Sequence, residues 1–381
     1  MDLFFHNCSA LYFICRKNRD MKLRNFTFEE ILGKREILSD MKKSKTPSFF
    51  NRTDDNITEN LSFEYPIVEP ENSNKLVKGK YTSVILLFHG LNERSWDKYY
   101  SWAEYIANNT QKPVLLFPMA FHINRAPKEW SNPRATQPYV INELGHVPQP
   151  SHLTFINFAL SFRIKADPYR FYLAGRETIN NVCQLIGQIR KGKHPLIDST
   201  ASVDIFAYSI GALLSQVMLF ANPSNYFTRS KLFMFCGGSL FNQMDGDSKM
   251  IMDRDSFQAL LDYYKNSFLF FKNESRLKGD ILELGFVSHI GYSINRAKRE
   301  YFYGECGPRI KAISLKKDRV IPTNGIKSAL GSEHSHCLEE LDFPFEYCHE
   351  SPFPAESSKV DPNVRRYWFE KVFSKASDFL S

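Results

Sequence analysis

The sequence has no C-x-x-C pair, no long basic run, no apolar stretch of transmembrane length, no internal repeat and no low-complexity tract. Each absence narrows the reading. The seven cysteines stand at 8, 15, 183, 236, 306, 337 and 348. Their odd number and scattered spacing argue against a disulfide framework and favour reduced thiols in a cytoplasmic protein. The charge excess is mild, +7 over 381 residues. Its densest cluster, "MKKSK" at 41–45, is too short to track a phosphate backbone and reads as a solvated face, so no nucleic-acid partner is expected. The first twenty residues also lack the order of a secretory signal. Asp2 is acidic, His6 and Asn7 interrupt the apolar part, and Arg16 and Lys17 follow it. The run is shorter than the roughly 20 residues that cross a bilayer. It is expected to be an extension, with Met21 as a candidate start and no stable membrane insertion.

What is present is an ordinary globular composition, 43% hydrophobic and 24% charged, unusually rich in Phe. Residues 1–60 read as peripheral. Thr27 and Glu30 stand at capping-box spacing ahead of helically spaced apolar residues, which predicts a helix over about 28–42. "LSFEYPIVEP" (61–70) alternates and reads as a strand. From residue 81 apolar runs alternate with helical patterns. "YTSVILLF" (81–88), "KPVLLFP" (112–118), "ASVDIFAY" (201–208), "KLFMF" (231–235) and the start of "RIKAISLKKDRVIP" (309–322) read as strands covered on both faces. "LDFPFEYCHE" (341–350) is expected to hold a further short strand. Helices are expected after Ser95, which is a plausible cap, over 168–192, after Ser209, and over the last eighteen or so residues. "AFHINRAPKEWSNPRATQPYVINELG" (120–145) lacks a period and reads as a loop.

Strand and helix alternating over some 300 residues predict an α/β protein with a mostly parallel central sheet flanked by helices. Two intervals, 119–200 and 239–308, are too long for simple crossovers and read as cap insertions. The domain reading is therefore an extension over 1–60 and one α/β domain over 61–381.

The chemistry centres on "DIFAYSIGALLSQ" (204–216). A strand, a serine and a helical run make the pattern of a nucleophile elbow, with Ala207 and Gly211 as the small flanking residues. By itself the stretch fits a helix-capping serine equally well. A serine nucleophile needs a base, and the base needs a carboxylate that orients it. Asp318 follows a strand in "ISLKKDRVIP", and His349 lies in "FPFEYCHESPFP" past the last one. The order Ser, Asp, His and the expected positions at C-terminal strand ends make the three more telling together than apart. His334 and His336, in "GSEHSHCLEE", read as surface-loop residues rather than a metal site, His289 lies inside the second insertion, and His89 belongs to the His-Gly turn. Asp245 is the alternative acid. Two backbone N–H groups should face a developing oxyanion, and by position these are Ile210 and Leu91. No metal or cofactor is implied.

With "FHGLN", "AYSIG", "KKDRVIP" and "CHESPFP" in this order, the chain resembles the α/β-hydrolase superfamily over about 60–380. "A-x-S-x-G" resembles the elbow of some bacterial lipases. "HGLNERSWDKYYSWAEYI" and "FPMAFHINRAP" resemble a bacterial group of uncharacterised hydrolase-like proteins, which implies no substrate. The resemblance implies a serine hydrolase acting on a small-molecule ester in preference to an amide. An acyltransferase with the same residues and an inactive binding protein of this fold are the alternatives. The aromatic segments "AFHINRAPKEWSNPR" and "SFQALLDYYKNSFLFF" are expected to shape the substrate pocket, and Arg125 and Arg134 to be surface residues.

Overall fold

The structure, a computed structural model, describes residues 21–30, 54–72, 76–145, 151–268, 279–354 and 359–381. Eight strands form one sheet: β1 (Leu23–Glu29), β2 (Ser62–Val68), β3 (Lys80–Phe88), β4 (Val114–Leu116), β5 (Ile197–Tyr208), β6 (Leu232–Phe235), β7 (Ile310–Leu315) and β8 (Leu338–Leu341). Their spatial order is β1-β2-β4-β3-β5-β6-β7-β8, and a two-residue strand, Leu76–Val77, folds back on β3. β1 and β2 run antiparallel to their neighbours, and every pairing from β4 to β8 is parallel. This is the mostly parallel central sheet flanked by helices that the alternating pattern predicts.

The continuous apolarity of the central strands follows from their two covered faces. Along β3, Val84, Leu86 and Phe88 point into one core while Ile85 and Leu87 point into the other. The first core is closed by helices Tyr169–Arg190 and Ile210–Ala221. The second is closed by helices Asp97–Thr110 and Pro362–Leu380, whose Trp102 and Phe373 rings meet at 5.3 Å. Covering both faces leaves only the ends of the parallel strands for a site.

Four local expectations are corrected. Phe28 and Glu29 end β1 rather than starting a helix, because Phe28 pairs with Phe63 across the β1–β2 ladder and their rings stack at 4.9 Å. Glu30 is not helical, and the rest of that expected helix, from 31 on, lies outside the described residues. Ser95 does not cap the helix that begins at Asp97; its hydroxyl donates to the Asp97 carboxylate at 2.8 Å. The stretch 120–145 holds a helix, Pro133–Leu144, started by Asn132, whose side chain accepts from the Arg134 N–H. The last strand is Leu338–Leu341, so 342–350 is loop.

Candidate functional site

The end of β5 decides the site. Ala207 pairs with Phe88 of β3, and Tyr208 with Phe235 of β6, so the elbow emerges at the centre of the sheet. Ser209 takes φ 57° and ψ −126°, and a helix starts at Ile210. A positive φ at a non-glycine residue costs of order 1–3 kcal/mol and persists only where the surroundings impose it. Here the Ser209 N–H donates to the Phe235 carbonyl at 3.2 Å and its carbonyl accepts from the Ala212 N–H at 3.0 Å. The turn also explains the small residues. A Cβ on Gly211 would stand 2.8 Å from the His89 carbonyl oxygen, and one on Gly237 2.7 Å from the Ser209 carbonyl oxygen. Ala207 is fully buried, and its methyl packs into the first core.

Two loops bring the other groups to the serine. Asp318 lies just past β7, its N–H bonded to the Leu315 carbonyl at 3.0 Å. Its Oδ1 accepts from the Ile321 N–H at 2.9 Å, and its Oδ2 lies 2.7 Å from His349 Nδ1. His349 Nε2 in turn lies 2.7 Å from Ser209 Oγ. All three residues are buried. A carboxylate only accepts, so the imidazole proton sits on Nδ1 and the Nε2 lone pair faces the hydroxyl. The structure therefore brings Ser209, His349 and Asp318 into one hydrogen-bonded series. Such a series can take a proton from the hydroxyl and return it elsewhere. Asp245 stands apart from it, with its carboxylate accepting from the Asp247 N–H.

The sequence reading missed what holds His349. Tyr208, the residue before the serine, donates its hydroxyl to the His349 carbonyl, and the two rings stack at 5.4 Å. Lys98 reaches over the Tyr208 ring at 4.8 Å and donates to the Glu350 carbonyl at 3.2 Å. Tyr208 stands inside the motif, but only the return of the 342–350 loop gives it a task.

The loop after β3 is pinned as tightly. His89 Nδ1 lies 2.7 Å from the Gly90 carbonyl, and Nε2 accepts from the Met119 N–H at 2.9 Å. Burial, chiefly, pushes the His89 pKa well below its ordinary value. His89 is thus a neutral strap between two loops, not a base. The Gly90 N–H donates to the Tyr99 hydroxyl at 2.9 Å, and the Asn92 amide donates to the Met250 carbonyl at 2.7 Å. Leu91 lies between these anchors. Ile210, the first helical residue, has no acceptor for its N–H within its own helix.

A cavity of about 130 Å³ adjoins this turn. Leu91 and Ile210 line it, and Ser209 does not. Phe121 and Trp130 from the first aromatic segment contribute, as expected. Among the described residues of the second, none lines it. Instead Tyr264 and Phe268 pack behind it, against Phe171 and Tyr172. The second interval reaches the cavity through Leu282 and Phe286.

The remaining candidates fall elsewhere. Arg125 is fully buried, against expectation: it donates to Asn60 Oδ1 at 2.9 Å and Asn181 Oδ1 at 2.8 Å and lies 4.1 Å over the Phe63 ring. Arg134 is exposed. His289 is buried with Nδ1 2.7 Å from the Gly285 carbonyl. His336 is exposed, and His334 sits beside Gly307. Among the described residues no group of three metal-ligating side chains converges, and no helix is long and apolar enough to cross a membrane.

A family model described as a family of unknown function, DUF6051, matches residues 20–381, and the chain belongs to that family. No curated protein matches the sequence. Similar solved structures include a thermostable esterase from Pseudomonas putida, at 10% identity and a TM-score of 0.48 over 96% of this chain and 86% of that one. A hyperthermophilic esterase from Pyrobaculum calidifontis is similar at 8% identity and 0.47, over 97% and 86% of the two chains. Carboxyl esterase 2 from Tuber melanosporum is similar at 10% identity and 0.45, over 84% and 81%.

Proposed function

We propose that this member of the DUF6051 family is a serine hydrolase that cleaves a carboxylic ester through an acyl-enzyme on Ser209. One observation carries the reading: the buried series in which Ser209 Oγ, His349 and Asp318 follow one another at 2.7 Å each. In the proposed reaction Ser209 Oγ attacks the ester carbonyl carbon as its proton passes to His349 Nε2. The carbonyl oxygen becomes an oxyanion facing the Leu91 and Ile210 N–H groups, where the helix N-terminus adds its own positive end. Collapse breaks the ester C–O bond, and the imidazolium gives its proton to the departing alcohol. Water then attacks the acyl carbon as its proton passes to His349, the acyl C–Oγ bond breaks, the imidazolium returns that proton to Ser209 Oγ, and the carboxylic acid leaves. Asp318 keeps the imidazole in the competent tautomer and steadies the imidazolium without taking the proton.

The reading is tested with a fluorophosphonate probe on the folded protein, with a known serine hydrolase alongside. Labelling of the wild type and none of Ser209→Ala is the expected result. A folded wild type that stays unlabelled overturns the reading in favour of a binding protein. Acyl transfer to an added alcohol that outruns hydrolysis would make it an acyltransferase.

A further inference from the structure

Gly175 stands inside the helix Tyr169–Arg190, where a glycine costs roughly 0.5–1 kcal/mol relative to alanine. The other helix-side glycine near the site has a local reason, since Gly211 has the β3 backbone against its Cα. Gly175 has none. Its backbone is helical, and a Cβ placed there would meet only Leu214 Cδ1, at an ordinary 3.9 Å. The fold does not require a glycine at this position. It stands instead in the cavity wall, which Gly175 and Leu214, on the elbow helix, line side by side.

The wall chemistry selects what enters. Leu213, Leu214, Val217, Ile179 and Phe286 make it apolar. Its cations are tied to the scaffold rather than offered to a ligand. Arg163 pairs with Asp54 at 2.8 Å and lies over the Trp130 ring, Arg170 pairs with the same carboxylate at 3.2 Å, and Arg176 pairs with Asp280. Arg94 donates to the Phe155 carbonyl at 3.1 Å. An uncharged hydrocarbon fits this wall, and an anion has no partner waiting for it. The dimensions agree. From Ile210 to Val217 the helix covers about 10 Å, the length of an extended chain of about eight carbons. A volume near that of an apolar cavity that takes benzene suits about six.

Resting on the serine-hydrolase reading, we infer that this cavity receives an unbranched acyl chain of medium length, with the missing side chain of Gly175 leaving room for it in the wall beside Leu214. The chain enters at Ile210 and Leu91, where the ester carbonyl is proposed to sit, and runs along the elbow helix past Leu214. Gly175 is a specificity-determining position and touches none of the reacting atoms.

The experiment compares kcat/KM for p-nitrophenyl acetate, hexanoate, octanoate and dodecanoate in the wild type, Gly175→Ala and Gly175→Leu. The wild type is expected to peak at hexanoate or octanoate. The octanoate-to-acetate ratio should fall in Gly175→Ala, and by about tenfold or more in Gly175→Leu, because a filled pocket rejects added methylenes. Should the leucine variant not fold, the alanine variant still decides, since its Cβ fits and its helix should melt no lower than the wild type's. A wild type that prefers acetate, or a ratio unmoved by both substitutions, overturns the inference. If Ser209 takes the fluorophosphonate but the ratios do not move, only this inference fails. If Ser209 stays unlabelled and no ester is cleaved, the hydrolase reading fails with it.

Discussion

His349 and Asp318 face each other across the loops that follow the last two strands, Nδ1 to Oδ2 at 2.7 Å, with the histidine backbone clamped from below by the Tyr208 hydroxyl. The imidazole is held by its carboxylate partner, by a stacked ring and by its own carbonyl. Its orientation is therefore set before any substrate arrives.

Asp318→Asn should leave the fold in place and lower kcat for ester cleavage by about four orders of magnitude, because an amide no longer selects the Nδ1–H tautomer. Steady-state kinetics on a chromogenic ester check it. Near-full activity would place the acid elsewhere, with Asp245 the first alternative.

The elbow should distinguish its two small residues. Gly211→Ala puts a Cβ 2.8 Å from backbone and should destabilise the protein by about 1–3 kcal/mol in a urea titration. Ala207→Gly removes a methyl from the strand. It should cost about 1–2 kcal/mol, from the strand glycine and the lost buried methyl together, and keep Ser209 reactive to the probe.

Arg125→Met should cost about 3–5 kcal/mol, as for one partner lost from a buried polar network. It strands the Asn181 oxygen and takes one donor each from the Asn60 oxygen, which the Phe121 N–H still reaches, and from the Glu177 carboxylate, which the Asn60 amide still reaches. A thermal melt close to the wild type's would count against the burial of this arginine.

Stability should fall in mild acid. Burial lowers the pKa of His122, His194 and His289 to about 4 each. In the unfolded chain these groups take a proton near the ordinary value of about 6.5. Below that pH the unfolded state binds protons the folded state refuses. The stability they contribute is therefore complete above about pH 6.5 and lost as pH falls toward about 4, by roughly 3 kcal/mol per histidine. His122 Nδ1 lies 2.9 Å from the Ala120 carbonyl, which offsets the burial only in part, and its Nε2 is buried without a hydrogen-bond partner among the described residues. Urea midpoints that stay flat between about pH 7 and about pH 4.5 would refute this.

Where a residue's surroundings are its chain neighbours, the sequence is readable. The alternation of apolar runs and helical patterns specifies a parallel sheet because each strand must bury both faces. The small residues around Ser209 mark a sharp turn because the helix has to cross the strand end closely. The order Ser209, Asp318, His349 is legible because each follows a strand, even though His349 comes well after Leu341 rather than at a strand end.

What depends on distant partners is not readable in this way. Thr27 and Glu30 carry a helix-start signal, yet the ladder to β2 and the Phe28–Phe63 stack outweigh it. Arg125 looks like a surface residue until Asn60, Glu177 and Asn181 close around it. Gly175 has no motif at all, and its meaning exists only beside Leu214 in the cavity wall. The sequence by itself determined the sheet and the strand-serine-helix turn and pointed to the three side chains proposed to react, because patterning and turn chemistry are local. The tertiary structure alone decided that Ser209, His349 and Asp318 meet, what clamps the imidazole, and what shape of cavity lies beside the serine. Those are distances between segments far apart in the chain, set by packing rather than by any residue's neighbours.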